Sequence, residues 1–177
     1  MRNKKVRSIV LSGLFIAVGV LLPVVFHATG SGGIFLPMHI PVMLAGFFLD
    51  IPFALAVGIA TPLVSSLITG MPPLFPVMPY MAAELPVYAL VCSLLYRKIK
   101  LNAHLSLVIS MIAGRIAAAA AVWILATFFT ANLPAPPAFI AAAIVTGLPG
   151  IALQLLIIPF VVSAVERNLY ARKKGQE

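Results

Sequence analysis

Apolar residues run along almost the whole chain, and short stretches rich in glycine, proline or charge divide them into six segments. These segments cover residues 6–26, 37–49, 52–69, 77–96, 105–129 and 138–165. All except the second are long enough to cross a hydrocarbon core of about 30 Å as a helix that rises about 1.5 Å per residue. The short second segment is expected to be tilted or to cross half of the membrane. The pattern therefore predicts an all-α membrane protein with six transmembrane helices.

The stretches between the segments carry residues that end helices and turn the chain. They read GSGGIFLP, LDIP, TGMPPLFP, RKIKLNAH and TANLPAPP, in which glycine, proline and asparagine recur. None is long enough to fold by itself. Residues 1–177 are therefore expected to form a single membrane domain.

Composition supports the membrane assignment and changes how the charge is interpreted. The chain is 62% hydrophobic and only 9% charged, outside the range of soluble globular domains. A formal net charge of +8 would suggest nucleic acid in a soluble protein. Here the basic residues instead cluster beside the ends of apolar segments, so we expect no nucleic-acid partner and interpret the clusters as orientation signals. They are Arg2, Lys4, Lys5 and Arg7; Arg97, Lys98 and Lys100; and Arg167, Arg172, Lys173 and Lys174.

The basic clusters predict the orientation of the chain. With a cytoplasmic N-terminus and six crossings, the loop at residues 97–100 and the C-terminal tail also lie in the cytoplasm. The loops at residues 71–76 and 132–137 face outward and contain no lysine or arginine. Arg115 is then the only one of the 12 basic residues outside the cytoplasmic clusters, as the positive-inside rule requires. Five or seven crossings would place a cluster outside.

Two charged residues, Glu84 and Arg115, lie deep within apolar segments four and five. An ionisable side chain in hydrocarbon costs at least about 2.5 to 3.5 kcal/mol, so it persists mainly where it meets a partner or a wet cavity. Counted from Arg97 and His104, both lie roughly 17 to 20 Å from the cytoplasmic ends of their helices. They can therefore pair with each other, or both can face one polar ligand in the outer half of the membrane. The sequence leaves both alternatives open.

Other polar residues fall in or near the same half of the membrane. Candidate substrate contacts are His39 at the start of segment two, Ser65 and Tyr80 beside the third loop, Trp123 in segment five and Gln154 in segment six. Each also has a purely structural interpretation. Serine can bond its own helix backbone, and tryptophan or tyrosine near an interface is common in membrane proteins.

Gly13 and Ala17 form a small-xxx-small pair in segment one. Small residues at this spacing let another helix approach closely, either within the bundle or in a partner protein. The sequence by itself does not distinguish the two.

The chain resembles the substrate-binding S components of energy-coupling factor (ECF) transporters, which take up vitamins into bacteria. The resemblance rests on a basic N-terminus, the Gly13–Ala17 pair, six helices in a short chain, and the stretches FLPMHIPVMLAGFFLD, TPLVSSLITGMPP and AGR. It implies a bacterial plasma-membrane protein that binds a vitamin or vitamin precursor. The implied partners are a membrane scaffold, the T component, and two ATPases.

The same resemblance implies roles for particular parts of the chain. Gly13 and Ala17 would dock on the scaffold, although family members usually carry alanine at both positions. The ligand would bind near the outer face among helices four, five and six, beneath the loop HATGSGGIF after helix one. Transport would occur by toppling of the whole subunit, powered by the partners, since the chain has no GxxxxGK[ST] loop of its own.

The sequence also bears on two other classes of function. Intramembrane catalysis is disfavoured because Asp50 is the only aspartate, no serine lies in a GxSxG elbow, and the acidic residues are scattered. We expect no cofactor and no metal. A self-sufficient small secondary transporter or channel is the main alternative, since an intramembrane Glu and Arg also suit proton-coupled transport. The ligand stays open: an Arg beside a Glu suits pantothenate or a pyrimidine, while lipoate and a cobalamin precursor are further alternatives.

Overall fold

The computed structural model describes residues 2–129 and 133–174, and within them it is built of helices joined by short loops. The helices are α1 (Arg2–Ala28), α2 (Gly32–Phe35), α3 (His39–Phe48), α4 (Ile51–Thr69), α5 (Val77–Cys92), α6 (Ala103–Phe128) and α7 (Pro136–Lys174). A π-helical stretch, Ser93–Lys98, continues α5. The described residues contain no strand.

Five of these helices, α1 and α4 to α7, are long and apolar enough to cross a membrane, and α3 is a shorter apolar helix. With 10 residues, α3 covers about 15 Å, half of the hydrocarbon core. The six predicted segments correspond to α1, α3, α4, α5 with its π-helical extension, α6 and α7. The predicted all-α architecture of six membrane helices is confirmed.

Local sequence signals set several helix ends. The Asn102 side chain accepts a hydrogen bond of 2.8 Å from the Leu105 amide and so caps the start of α6. Gly70 ends α4 with a φ of 72°, a left-handed conformation that glycine adopts without strain. These two ends were visible in the sequence as polar or glycine-containing breaks.

Helix α5 lies at the centre of the bundle and packs against α3, α4 and α6. Glycines allow two of these approaches. A Cβ atom at Gly46 of α3 would lie 2.6 Å from the Ala89 carbonyl oxygen, and one at Gly58 of α4 would lie 2.6 Å from the Pro86 Cα atom. No side chain fits at either position without moving the backbone of α5.

The short helix α3 forms much of the floor of the core. It packs against α1, α4, α5 and α7, and its Val42, Met43 and Phe47 are fully or almost fully buried. Unlike the surface of a soluble protein, the outer surface is apolar: large side chains such as Leu67 and Phe160 are each 74% exposed. A bilayer provides the apolar surroundings that these side chains require.

The two ends of the bundle differ in character. Lys4 of α1, Arg97 of the π-helical stretch and Glu166 of α7 line one groove. The start of α1, the 97–100 loop and the last part of α7 therefore share one end, as an even number of crossings requires. At the other end lie the three loops that follow α1, α4 and α6; residues 130–132 of the last one lie outside the described residues. Which end faces the cytoplasm stays a prediction.

Candidate functional site

A cavity of about 390 Å³ lies at the end of the bundle opposite the basic groove. Helices α1, α3, α5, α6 and α7 and the loops after α1, α4 and α6 all contribute to its walls. Its polar lining consists of His27, His39, Tyr80, Glu84, Arg115 and Thr146. Most of the remaining wall is proline, methionine and other apolar side chains. Such a mixture is typical of small-molecule sites, in which a few polar groups orient a largely apolar surface.

Glu84 lies at the inner part of this cavity, and three side chains meet its carboxylate. Arg115 Nη1 is 2.8 Å from Oε1, and His39 Nε2 is 3.8 Å from the same oxygen. The Tyr88 hydroxyl donates a hydrogen bond to Oε1 as well. Because all three contacts involve Oε1, the second carboxylate oxygen has no hydrogen bond to another described side chain. Glu84 is only 1% exposed, so its charge depends on these partners.

Arg115 offers more hydrogen bonds than Glu84 uses. Its guanidinium carries five N–H donors in a planar fork, and the contact with Glu84 is its single ion pair among the described residues. Its side chain is 15% exposed and lines the cavity. The fork can therefore hold Glu84 and still present donors to a carboxylate, carbonyl or ring nitrogen of a ligand.

His39 is the most unusual polar group in the cavity. It is 3% exposed, yet neither Nδ1 nor Nε2 has a hydrogen-bond partner in the described part of the chain. Its ring lies 5.4 Å from the Tyr88 ring, between centroids. Buried polar atoms without partners are rare and costly, so a pair of them in a cavity wall suits contact with a polar ligand.

Tyr80 stands on the same face of α5 as Glu84, one helical turn nearer the cavity mouth. Its ring packs edge-on against Phe139 of α7, with 5.1 Å between centroids. The Tyr80 hydroxyl makes no hydrogen bond to a described residue, and the side chain lines the cavity. The pair joins α5 to α7 and leaves the hydroxyl available to a ligand.

The loop after α1 covers one side of the cavity. Its short helix α2 rests on α7, where a Cβ atom at Gly150 would lie 2.7 Å from the Phe35 carbonyl group and one at Gly147 would lie 3.0 Å from Leu36 Cδ1. Gly32, Leu36 and Pro37 of this stretch line the cavity. The predicted covering loop is therefore in contact with α7 through two glycines that no side chain could replace without displacement.

The other predicted site residues lie away from the cavity lining. Ser65 is buried and donates a hydrogen bond of 2.6 Å to the Met71 carbonyl, so it holds the loop that supplies the Met71–Pro73 wall. Trp123 is 55% exposed on α6, and Gln154 is 1% exposed on α7 with its Nε2 unpaired among described residues. Neither Trp123 nor Gln154 lines the cavity.

Sequence reasoning missed several cavity residues, chiefly His27, Phe139 and the proline-rich 71–73 stretch. His27 lies at the end of a helix in an exposed stretch, where nothing in the sequence distinguishes it from an interfacial residue. In the sequence, the loop prolines indicate turns and do not by themselves indicate a cavity wall. A stronger indication was their number: four of the cavity prolines, Pro37, Pro72, Pro73 and Pro134, lie in the loops.

Gly13 and Ala17 lie on the outside of the bundle rather than within it. Both are exposed, and a Cβ atom at Gly13 would have no neighbour within 4 Å. The flanking Val10 and Leu14 are 65% and 55% exposed. The small-xxx-small pair thus makes no internal helix contact at Gly13, and its face is open to lipid or to a partner.

A known protein family matches most of the chain. The family model for "ECF transporter, substrate-specific component" matches residues 7–162, which covers all six membrane helices at least in part. No curated protein and no solved structure matches the chain. The described residues contain no group of three or more His, Cys, Asp or Glu that could hold a metal ion.

Proposed function

The chain belongs to the family of substrate-specific components of ECF transporters, and from this membership we propose that it captures a vitamin or vitamin precursor for import. Members of this family are components of a transporter and not enzymes. We propose the bacterial plasma membrane as the location. The partners are a membrane scaffold, the T component, and two ATPase subunits, which supply the energy because this chain has no phosphate-binding loop.

The ligand site in this proposal is the 390 Å³ cavity. The observation that carries it is the group at its inner wall: a buried carboxylate–guanidinium pair beside an imidazole that has no hydrogen-bond partner among the described residues. We assign ligand contact to Glu84, Arg115, His39 and Tyr80. Ser65 acts indirectly by holding the Met71 loop. Trp123 and Gln154 are not included, since neither borders the cavity.

The lining favours a particular kind of ligand. Polar groups gather around Glu84, while proline, methionine and aromatic side chains form most of the walls. A ligand with one polar edge that both donates and accepts hydrogen bonds, attached to a compact apolar or ring body, complements this surface. The volume of about 390 Å³ lies at the lower end for small-molecule sites. It favours a small vitamin or pyrimidine-like precursor over a cobalamin precursor.

Docking on the scaffold would use the exposed face of α1 around Gly13 and Ala17. The absence of side-chain bulk there, together with exposed apolar neighbours, allows a partner helix to approach closely. Of the five long apolar helices, α1 has the least buried membrane span. A further membrane partner on this face would bury it.

A reconstitution experiment tests the proposal. Purified protein in liposomes should bind the ligand identified by mass spectrometry of the purified sample, without moving it across the membrane. ATP-driven uptake should occur only when the T component and ATPases are added. Concentrative uptake by the chain alone, driven by a proton gradient, would contradict the proposal and support a self-sufficient transporter.

A further inference from the structure

A second cavity, larger than the first, lies at the opposite end of the bundle. It has a volume of about 1010 Å³ and lies between the N-terminal part of α1 and the C-terminal part of α7. Both helices pack against α3 without packing closely on each other. Side chains of α3, including Phe47 and Phe48, form the floor of this groove.

The groove combines charge with apolar walls. Four basic side chains line it, namely Lys4, Arg7, Arg97 and Lys100, against two acidic ones, Asp50 and Glu166. Deeper in the groove, the lining includes Leu11 and Phe15 of α1 and Val161 and Val165 of α7. The charged side chains lie at one end of the groove, and the apolar side chains lie deeper. A molecule that fills the groove would therefore contact cations at that end and apolar side chains farther in.

Both acidic residues are already engaged within the protein. Asp50 Oδ1 is 2.6 Å from Arg97 Nη2, and Arg97 Nη1 also donates to the Phe48 carbonyl at 2.9 Å. Glu166 accepts a hydrogen bond of 2.6 Å from the Tyr96 hydroxyl. Lys4, Arg7 and Lys100 make no ion pair with a described residue. The groove therefore has three cations that no carboxylate in the described part of the chain neutralises.

We propose that this groove binds an anionic phospholipid of the leaflet at the basic end, with its phosphate near Lys4, Arg7 and Lys100 and an acyl chain against the apolar wall. Two features favour a lipid over a soluble anion. The deeper lining of the groove is apolar on both sides, on α1 and on α7, which suits an acyl chain. Basic pockets between transmembrane helices at a membrane face are also known to suit anionic headgroups.

The test compares two triple variants of equal charge. Lys4→Gln, Arg7→Gln and Lys100→Gln remove the groove cations. Lys5→Gln, Lys98→Gln and Arg167→Gln are the matched control, because these residues lie at the same end of the bundle, are exposed and do not line the groove. The full-length protein is titrated with dioleoylphosphatidylglycerol in detergent, and bound lipid is counted by native mass spectrometry. Dioleoylphosphatidylcholine and the deacylated headgroup glycerophosphoglycerol serve as the other probes.

The parent and the control should bind phosphatidylglycerol with similar affinity, and more tightly than phosphatidylcholine. At about fivefold for each cation, the groove variant should lose about a hundredfold in affinity. Its thermal unfolding without lipid should match that of the control, since the replaced side chains form no ion pairs. Equal loss in both variants, equal binding of phosphatidylcholine, or equally tight binding of glycerophosphoglycerol would overturn the proposal. So would a groove variant that binds lipid normally but no longer associates with the T component, because the groove would then belong to the scaffold.

Discussion

Glu84 and Arg115 pair with each other and also line the cavity, so the first of the two alternatives that the sequence left open is observed, and contact with a ligand stays a prediction that the pairing does not exclude. Removing two charges from water is costly, and their attraction offsets this only when the remaining polar atoms are satisfied. Here several Arg115 donors have no protein partner among the described residues. A ligand that accepts hydrogen bonds from them would complete the site.

Removing the Arg115 charge should therefore weaken ligand binding. Arg115→Met is expected to reduce the binding free energy by about 2 to 5 kcal/mol, since it also leaves Glu84 buried without its main partner. Isothermal titration with the purified ligand measures this change. Arg97→Met is the matched control, because Arg97 pairs with Asp50 near the surface at the other end and such pairs contribute only about 0 to 1 kcal/mol.

The double variant Glu84→Gln with Arg115→Met distinguishes a ligand contact from a structural bridge. If the pair only holds α5 to α6, removing both charges should restore folding and binding that each single change loses. We expect thermal stability to recover in the double variant while affinity does not. A double variant that binds as tightly as the parent would show that the pair is structural.

His39→Phe should separate binding from folding more clearly. Neither ring nitrogen of His39 makes a hydrogen bond with a described residue, and its contact with Glu84 is long at 3.8 Å, so a phenyl ring of similar size should change the melting temperature little. Loss of a ligand hydrogen bond should weaken binding by about 0.5 to 1.5 kcal/mol. The control is His104→Phe, an exposed position at the basic end. Unchanged affinity in His39→Phe would remove this residue from the site.

The sequence revealed some cavity residues and not others for a physical reason. A charge inside an apolar segment is conspicuous because hydrocarbon penalises it, and Glu84 and Arg115 were found this way. Segments five and six are apolar on all sides, so no periodicity distinguishes a cavity-facing residue from a lipid-facing one. Trp123 was therefore proposed as a contact, although its side chain is 55% exposed on the outside of α6.

At the scale of elements, the position of α5 depends on small residues in its neighbours. Gly114 of α6 faces Tyr88, and a Cβ atom there would lie 2.2 Å from the Tyr88 ring. Tyr88 is 1% exposed and bonds Glu84, so it has little room to shift. The same packing that joins α5 to α6 thus also positions the carboxylate in the cavity.

Gly114→Ala is expected to lower the free energy of unfolding by about 1 to 3 kcal/mol, because the added methyl group overpacks the contact and pushes Tyr88 of α5 away from α6. Ligand affinity should fall as well, since Tyr88 holds Glu84. Gly13→Ala provides the matched control: it is the same substitution at a position with nothing within 4 Å. There, stability should be unchanged or higher by up to about 1 kcal/mol. Similar melting temperatures for both variants would contradict this account.

Larger side chains on the exposed face of helix α1 should affect uptake and leave ligand binding and stability unchanged. Ala17→Leu and Gly13→Trp add volume at exposed positions, and a Cβ atom at Gly13 would have no neighbour within 4 Å, so ligand binding and melting temperature should stay near parent values. Uptake in liposomes with the T component and ATPases should be lost, because the added side chain separates two helices. Ala120→Leu on the exposed face of α6 is the control and should transport normally. Equal loss of binding and uptake would place the pair in internal packing.

Helix positions followed closely from the sequence, but helix ends and small elements did not. Segment three was predicted as residues 52–69, and α4 is Ile51–Thr69. Segment six was predicted to end near residue 165, whereas α7 continues to Lys174 because a helix can extend beyond the hydrocarbon once its polar side chains reach water. The four-residue helix α2 was missed, since its two glycines indicated only a loop. Its position depends on contact with α7, which no local signal encodes.

The two ends of the molecule along the membrane normal carry different kinds of side chains. One end holds a cavity of prolines and apolar side chains around a single charge pair, and the other holds an open groove with basic side chains. Insertion favours basic residues on the cytoplasmic side, so we predict that the basic end faces the cytoplasm and that the cavity faces outward. The proposed capture of a solute from outside requires this orientation.

Cysteine labelling tests that orientation directly. Leu74→Cys lies in the loop after α4, where Leu74 is 58% exposed, and Lys98→Cys lies in the exposed stretch at the other end of α5. The native Cys92 is fully buried and should not react in the folded protein. A membrane-impermeant maleimide added to intact cells should label Leu74→Cys, while Lys98→Cys should react only after the membrane is opened. The reverse pattern would place the ligand cavity in the cytoplasm, and labelling of both from one side would mean that α5 does not cross the membrane.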